Sequence, residues 1–266
     1  MIRAFYSLVI LTALVFFQSC SKNDDPVPQN ASGPLLTKIE WKDQNASASF
    51  EYNTDNSQRQ IIYDTPYGID TLNFAYANSK LATITSTRSL KISQYAYNEK
   101  NQVSNITMSS IYSIAKYQFE YTYTSIGKVA SLKYYLLNEG GKHLIYNSVY
   151  DYDSAGDLSK ITSTDKNKQQ IIILIKSYSE KTLFNPWPFI STTDLEEMYE
   201  LYNYPVLNSL KKLPKRVEKI IQGNKSIYET DFTINSLKLG KTLSSNYYED
   251  DPGNKVTMEA TYFYNN

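Results

Sequence analysis

Three groups of residues in this 266-residue chain are of types and spacings that could do chemistry. The first is carboxylates: Asp151 with Asp153, Glu196 with Glu197 and Glu200, and Glu249 with Asp250 and Asp251. Glycoside cleavage needs only two such groups, one acid and one base or nucleophile. Each set also has a plainer role. Asp153 enters a turn, where its oxygen can accept backbone amides, and the glutamates fall in the first turns of an expected helix, where the dipole favours negative charge. The second group is His143, the only histidine, in the turn-like run Glu139-Gly140-Gly141-Lys142-His143. No serine near it stands in a nucleophile-elbow context, and one histidine with one cysteine cannot supply a zinc set. The third is Trp187, between Pro186 and Pro188 and followed by Phe189. Aromatics on a proline-stiffened loop can stack on a sugar; Trp187 can equally seal a core beneath that loop. Asp250-Asp251-Pro252-Gly253-Asn254 has oxygen ligands for calcium, but reads better as a hairpin turn. The expectation is a protein without catalytic residues, cofactor or metal.

What must position these residues is an internal repeat. Tyr150-Asp151-Tyr152, a polar turn, Leu158 and Ile161 are echoed by Phe74-Ala75-Tyr76 with Leu81 and Ile84. Tyr95-Ala96-Tyr97 with Val103 and Ile106, and Tyr121-Thr122-Tyr123 with Val129 and Leu132, repeat it again. The period is about 21 to 29 residues. In Lys116-Tyr117-Gln118-Phe119-Glu120-Tyr121-Thr122-Tyr123 the aromatic and polar positions alternate, which places all the aromatics on one face of a strand. Turn residues follow (Asn98 to Asn101, Ser125 to Gly127, Ser154 to Gly156), and then a return strand begins. Each unit is a hairpin, too small to be stable alone, and stacking the units buries the tyrosine face. The chain holds 25 tyrosines against 10 phenylalanines and 2 tryptophans.

Residues 1–19 read as an export signal, with Arg3 ahead of an apolar run from Leu8 to Phe17. Cys20 is the only cysteine, so no disulfide forms within the chain. Phe17-Gln18-Ser19-Cys20-Ser21 resembles a relaxed bacterial lipobox, although Phe17 and Gln18 depart from the stricter consensus. The resemblance implies a lipidated Cys20, whose acyl chains give a stable membrane anchor. Residues 20–34 form the flexible tether. Its start, Ser21-Lys22-Asn23-Asp24-Asp25, resembles the surface-export signal of Bacteroidota lipoproteins, which implies an outer-membrane protein displayed at the cell surface; a periplasm-facing protein stays open. From 35 to 266 a single domain is expected, because no linker divides it.

Near 185–213 the strand pattern breaks. Thr193-Asp194-Leu195-Glu196 has capping-box spacing, and Leu195, Met198, Tyr199 and Tyr202 fall at helical spacing before Pro205. Strands return after Pro214 and end on Ala260-Thr261-Tyr262-Phe263-Tyr264. The fold class expected is therefore mainly β: an antiparallel meander of about 12 to 14 strands curling into a bent sheet or open barrel, with one inserted helical segment. A transmembrane barrel is disfavoured, since tyrosine belongs at membrane interfaces and not along whole strands.

The repeat resembles a relaxed form of the YD repeats of bacterial Rhs and wall-associated shell proteins, best at Tyr150 to Ile161. The whole layout resembles a Bacteroidota lipoprotein family of unassigned function with a porin-like β fold. The matching features are Ser19 to Lys22, the Tyr-x-Tyr hairpins, the helical interruption, Leu213-Pro214-Lys215 and the Tyr-x-Tyr ending. These motifs are structural and imply no activity. Asp70-Thr71-Leu72 and Asp153-Ser154-Ala155 resemble the short O-glycosylation motif of Bacteroidota, which implies Thr71 and Ser154 as modified residues. Net charge is zero, from 27 basic and 27 acidic residues, with no basic stripe for nucleic acid. Three functions remain: a non-enzymatic surface lipoprotein binding a polysaccharide or surface protein through its aromatic-rich β face, a structural scaffold, and a glycoside hydrolase.

Overall fold

The computed structural model describes residues 34–111, 113–182, 205–206 and 209–265. The first eight strands are β1 (Leu36–Trp41), β2 (Ala46–Tyr52), β3 (Gln58–Thr65), β4 (Gly68–Ala77), β5 (Lys80–Ser86), β6 (Lys91–Tyr97), β7 (Val103–Ser110) and β8 (Ser113–Tyr123). The second eight are β9 (Val129–Asn138), β10 (Gly141–Tyr152), β11 (Leu158–Asp165), β12 (Gln170–Lys181), β13 (Lys212–Ile221), β14 (Asn224–Asn235), β15 (Lys238–Tyr248) and β16 (Asp251–Tyr264). Each pairs antiparallel with its neighbours in sequence, and β16 pairs with β1, so the sheet is a closed barrel of sixteen strands.

Closure overturns the expected bent sheet or open barrel. The reason lies in the two end strands. Ile39 stands opposite Tyr262 and Trp41 opposite Ala260, so each supplies the apolar face the other needs. An open sheet would leave both faces and two rows of backbone groups in water. The inserted helical segment is likewise not part of the fold described. Helical backbone among the described residues is confined to a 3-10 turn at Lys42–Gln44 and to Pro205 and Val206. Residues 183–204, on which the expected helix mostly falls, lie outside the described residues, and Lys212 to Lys215 already belong to β13.

The hairpins stand where the repeat puts them. Tyr76, Tyr97, Tyr123 and Tyr152 each pair with the first aliphatic residue of the return strand, and a β-bulge immediately precedes each. The turns share one geometry. Asn98, Thr124 and Asp153 each donate their amide to the carbonyl four residues on, and each accepts that later residue's amide on a side-chain oxygen. Gly127 and Gly156 occupy the left-handed position, at φ 83° and 80°, where Asn101, at φ 62°, stands in the first of the three turns.

Alternation sorts the side chains in one sense throughout. Phe50, Ile61, Ile106, Tyr121, Ile161, Ile173 and Val217 point into one core. The other face is mostly polar and charged, with Val149, Leu243 and Phe263 scattered among the charges: Lys38 bonds Glu40 at 2.6 Å, and Lys241 bonds Glu259 at 2.8 Å. A lipid-facing belt requires the reverse, because a charge at mid-membrane costs about 2–4 kcal/mol. The described barrel wall is therefore built to meet water.

Candidate functional site

The two ends of the barrel differ, and the difference locates the site. One end carries the turns after the even-numbered strands. Tyrosine hydroxyls seal it: Tyr52 donates to the Leu36 carbonyl, Tyr76 to Gln58, Tyr97 to Leu81, Tyr123 to Val103 and Tyr152 to Val129, at 2.6 to 3.0 Å. Tyr178 makes the same bond to Leu158. Tyr264 holds the equivalent place beside the Leu239 backbone, outside bonding geometry. Burial pushes the hydroxyls of Tyr76 and Tyr152 up to about 12 from an ordinary 10.0, and raises those of Tyr52, Tyr97, Tyr123 and Tyr178. Between the hydroxyls, Leu36, Leu158, Leu213 and Leu239 are fully buried.

The turns at this end are also tied to one another. Lys80 donates to Asn101 of the next turn, Gln102 to Gly127, Lys128 to Gly156, and Lys212 to Asp157. Lys80 and Lys128 lie over the rings of Tyr97 and Tyr152 as well. Both ends of the described chain meet here: the Leu35 amide donates to the Asn265 side chain at 2.6 Å, and the Asn265 amide returns a bond to the Leu35 carbonyl at 3.0 Å. The segment between β12 and β13 also departs from this end.

The opposite end is open. By register Tyr117, Ile221, Tyr248 and Val256 belong to the inward face, yet they are 38%, 40%, 53% and 71% exposed. Tyr67, Ile69, Ile111 and Ile114 are exposed apolar residues in or beside its loops. Along β8 and β9 the inward wall is aromatic. Phe119 stacks on Tyr134 with centroids 4.7 Å apart and planes 2° apart, and Tyr117 leans on the same ring at 5.7 Å. Burial pushes the Tyr134 hydroxyl up to about 12, helped by Tyr117 and Tyr146 beside it. Hydroxyls interrupt the apolar lining: Ser148 and Ser163 bond at 2.7 Å, and Thr230 and Ser244 at 3.1 Å. On the β4–β5 side, the Asp70 carboxylate accepts from the Ser86 hydroxyl and from the Arg88 amide at 3.0 Å.

Of the residues singled out in the sequence, Cys20, Trp187, Phe189 and the glutamates at 196, 197 and 200 lie outside the described residues. Thr71 sits on the outer face of β4, its backbone bonded both ways to Thr87. Ser154 is exposed in the turn after β10. His143 is exposed in β10 rather than in a loop, its Nε2 3.2 Å from Asn138 Oδ1. The carboxylates Asp151 and Asp153 are separated in role. Asp151 is on an outward, exposed strand position, while Asp153 caps its turn as expected. Asp251 to Asn254 belong to β16, not to a cage-forming loop. No cluster of metal-ligating side chains occurs among the described residues.

The expected binding face needs a correction of its own. The aromatic-rich face is the barrel interior, and six of its tyrosines are committed to backbone carbonyls. Towards the open end Tyr117 and Tyr248 are exposed, with Phe119 and Tyr134 half-buried beside Tyr117. Alternation in Lys116 to Tyr123 reveals that face. Nothing in it reveals which end stays open.

No protein-family model matches the chain, and no curated protein does. Among solved structures the chain is similar to a porin-like protein from Bacteroides uniformis ATCC 8492. The TM-score is 0.53 at 13% identity, covering 86% of this chain and 96% of that one. A porin-like protein from Bacteroides vulgatus ATCC 8482 gives a TM-score of 0.50 at 12% identity, covering 88% and 99%. At such identity the likeness is one of fold: the porin-like β architecture implied by the sequence resemblance is the architecture found.

Proposed function

We propose that this chain is a non-enzymatic envelope protein, anchored in the outer membrane through a lipidated Cys20, that takes up a polysaccharide at the open end of its barrel. The observation that carries this reading is the aromatic wall of Tyr117, Phe119 and Tyr134, whose outermost ring, Tyr117, is exposed. Rings at the lip of the barrel can stack on the C–H faces of a sugar, while the half-buried hydroxyls of Thr230 and Ser244 lie on the same inward face to bond its own. The fold likeness to porin-like proteins of Bacteroides accords with an envelope location. The tether would enter at the sealed end, beside Leu35, so an anchor there would turn the open end away from the membrane. Thr71 and Ser154, if glycosylated, would decorate the outer wall beside the open end and the sealed rim, respectively.

The test is a glycan-array screen of the chain purified in detergent, with Tyr117→Ala and Tyr134→Ala as comparators. Binding to one polysaccharide class that both substitutions abolish supports the reading. A blank from folded protein sinks it in favour of the scaffold reading, which has its own support in the six tyrosines committed to backbone bonds. Radiolabelled palmitate incorporated into the chain, and lost in Cys20→Ala, checks the anchor; protease shaving of whole cells checks surface display.

A further inference from the structure

Among the described residues, the interior near the open end contains an ammonium with no carboxylate to neutralise it. Lys219 lies in β13 opposite Ile173, a fully buried core residue, and two positions from Val217, so its side chain belongs to the inward face. It is only 5% exposed. Its neighbour Glu218 is on the outer face, where Arg216 and Lys225 share it at 3.6 and 3.9 Å. The inward carboxylate of Asp70 is already held by Ser86 and the Arg88 amide. Among the described residues the Lys219 ammonium has neither an acidic nor a hydrogen-bonding partner.

Burying an uncompensated charge is costly, and proteins pair or hydrogen-bond such groups where they keep them. Lys219 sits two residues inside the rim formed by Ile221, about 7 Å along the strand. Its long stem lets the head extend towards that rim. Directly across the ladder, on β14, is the buried hydroxyl of Ser226. An ammonium beside a hydroxyl, with no competing carboxylate, forms a donor pair for an oxyanion.

We propose that Lys219, with Ser226, is the seat of an anionic group on the ligand, and that the polysaccharide taken up at the open end is therefore acidic. This rests on the glycan reading above and narrows it. A uronate carboxylate and a sulfate ester share the chemistry.

The test uses the full chain in detergent and four probes: an oligogalacturonate, a sulfated galactan oligosaccharide, a neutral xylo-oligosaccharide and inorganic sulfate. Affinity is measured by calorimetry. Shielding of Lys219 from amine acetylation is read by peptide mass spectrometry. The expected result is tenfold or tighter binding of one acidic probe over the neutral one, weakened by salt, with Lys219 shielded. Lys219→Met should remove the preference while keeping the barrel, because methionine fills the volume of the stem; Lys219→Arg should keep it. Whichever acidic probe binds identifies the source of the charge. Equal binding of acidic and neutral probes, or an unchanged preference in Lys219→Met, overturns the inference and leaves the glycan reading standing. Should no saccharide bind while sulfate shields Lys219, the anion seat survives and the glycan reading falls. No shielding by any probe overturns the anion seat, and no binding of any saccharide in addition overturns the glycan reading as well.

Discussion

The sealed and open ends are made of the same hairpins and differ in how the last residues of each strand are used. At the sealed end six tyrosines are each spent on a carbonyl of the neighbouring strand, and side-chain bonds tie several of the turns to one another. At the open end the strands run on past the core, as Ser113, Ile114, Lys116 and Tyr117 and Asp251 to Thr257 do, with exposed side chains. A polar group satisfied inside the fold is what distinguishes a structural tyrosine from an available one. Residue type does not.

The broadest way to break this contrast is alkali. The sealed-end tyrosines have folded pKa values above the unfolded value, so the stability they confer is fully present below pH 10 and is lost as pH rises towards about 12 and beyond. Unfolding followed by circular dichroism should begin above pH 10. Tyrosinate absorbance of the buried set should rise with unfolding and not ahead of it; early titration of all 25 tyrosines in a folded barrel would contradict the sealed end.

Next come apolar truncations. Leu158→Ala removes a fully buried side chain at the sealed end and should cost about 2–5 kcal/mol by urea denaturation. Ile114→Ala, at an exposed site beside the open rim, should change stability by less than about 0.5 kcal/mol. Removing one hydroxyl sharpens the comparison further. Tyr97→Phe strands the Leu81 carbonyl and should cost about 1–3 kcal/mol, whereas Tyr117→Phe should be nearly silent in stability. Equal costs would mean the two ends are not distinct.

The smallest effect concerns two glycines, both at positive φ. Gly156→Ala meets the backbone penalty of about 1–2 kcal/mol, and its new methyl also displaces the Lys128 ammonium from the rim. Gly223→Ala, at the open end, meets only the backbone penalty, because nothing lies within 4 Å of the added carbon. Thermal melts of the pair should therefore differ, with Gly156→Ala the lower.

Much of this was legible in the chain. The Tyr-x-Tyr pairs, the offset to the next aliphatic residue, and Asn101, Gly127 and Gly156 in the turns announce the hairpins, because all those signals are local. Closure was not legible. It depends on pairing between strands whose ends, Leu35 and Asn265, lie 230 positions apart, and no local pattern distinguishes a first strand awaiting its partner from an edge. The number of strands was underestimated for the same reason. The seat at Lys219 left a faint signal: in Val217-Glu218-Lys219-Ile220 adjacent charges fall on opposite faces of a strand, so one of them must point inward.

Closure has a further consequence for the fate of the folded chain. A sheet of sixteen strands joined last to first offers no free margin of backbone donors and acceptors to a second molecule. Association by strand addition therefore waits on a rupture of the ring, and every rupture creates two sticky margins at once. At the seam between β1 and β16, the reciprocal bonds of Leu35 and Asn265 act as the clasp. Loosening that clasp, by Asn265→Ala for instance, should show itself as aggregation on storage well before any change in the melting temperature.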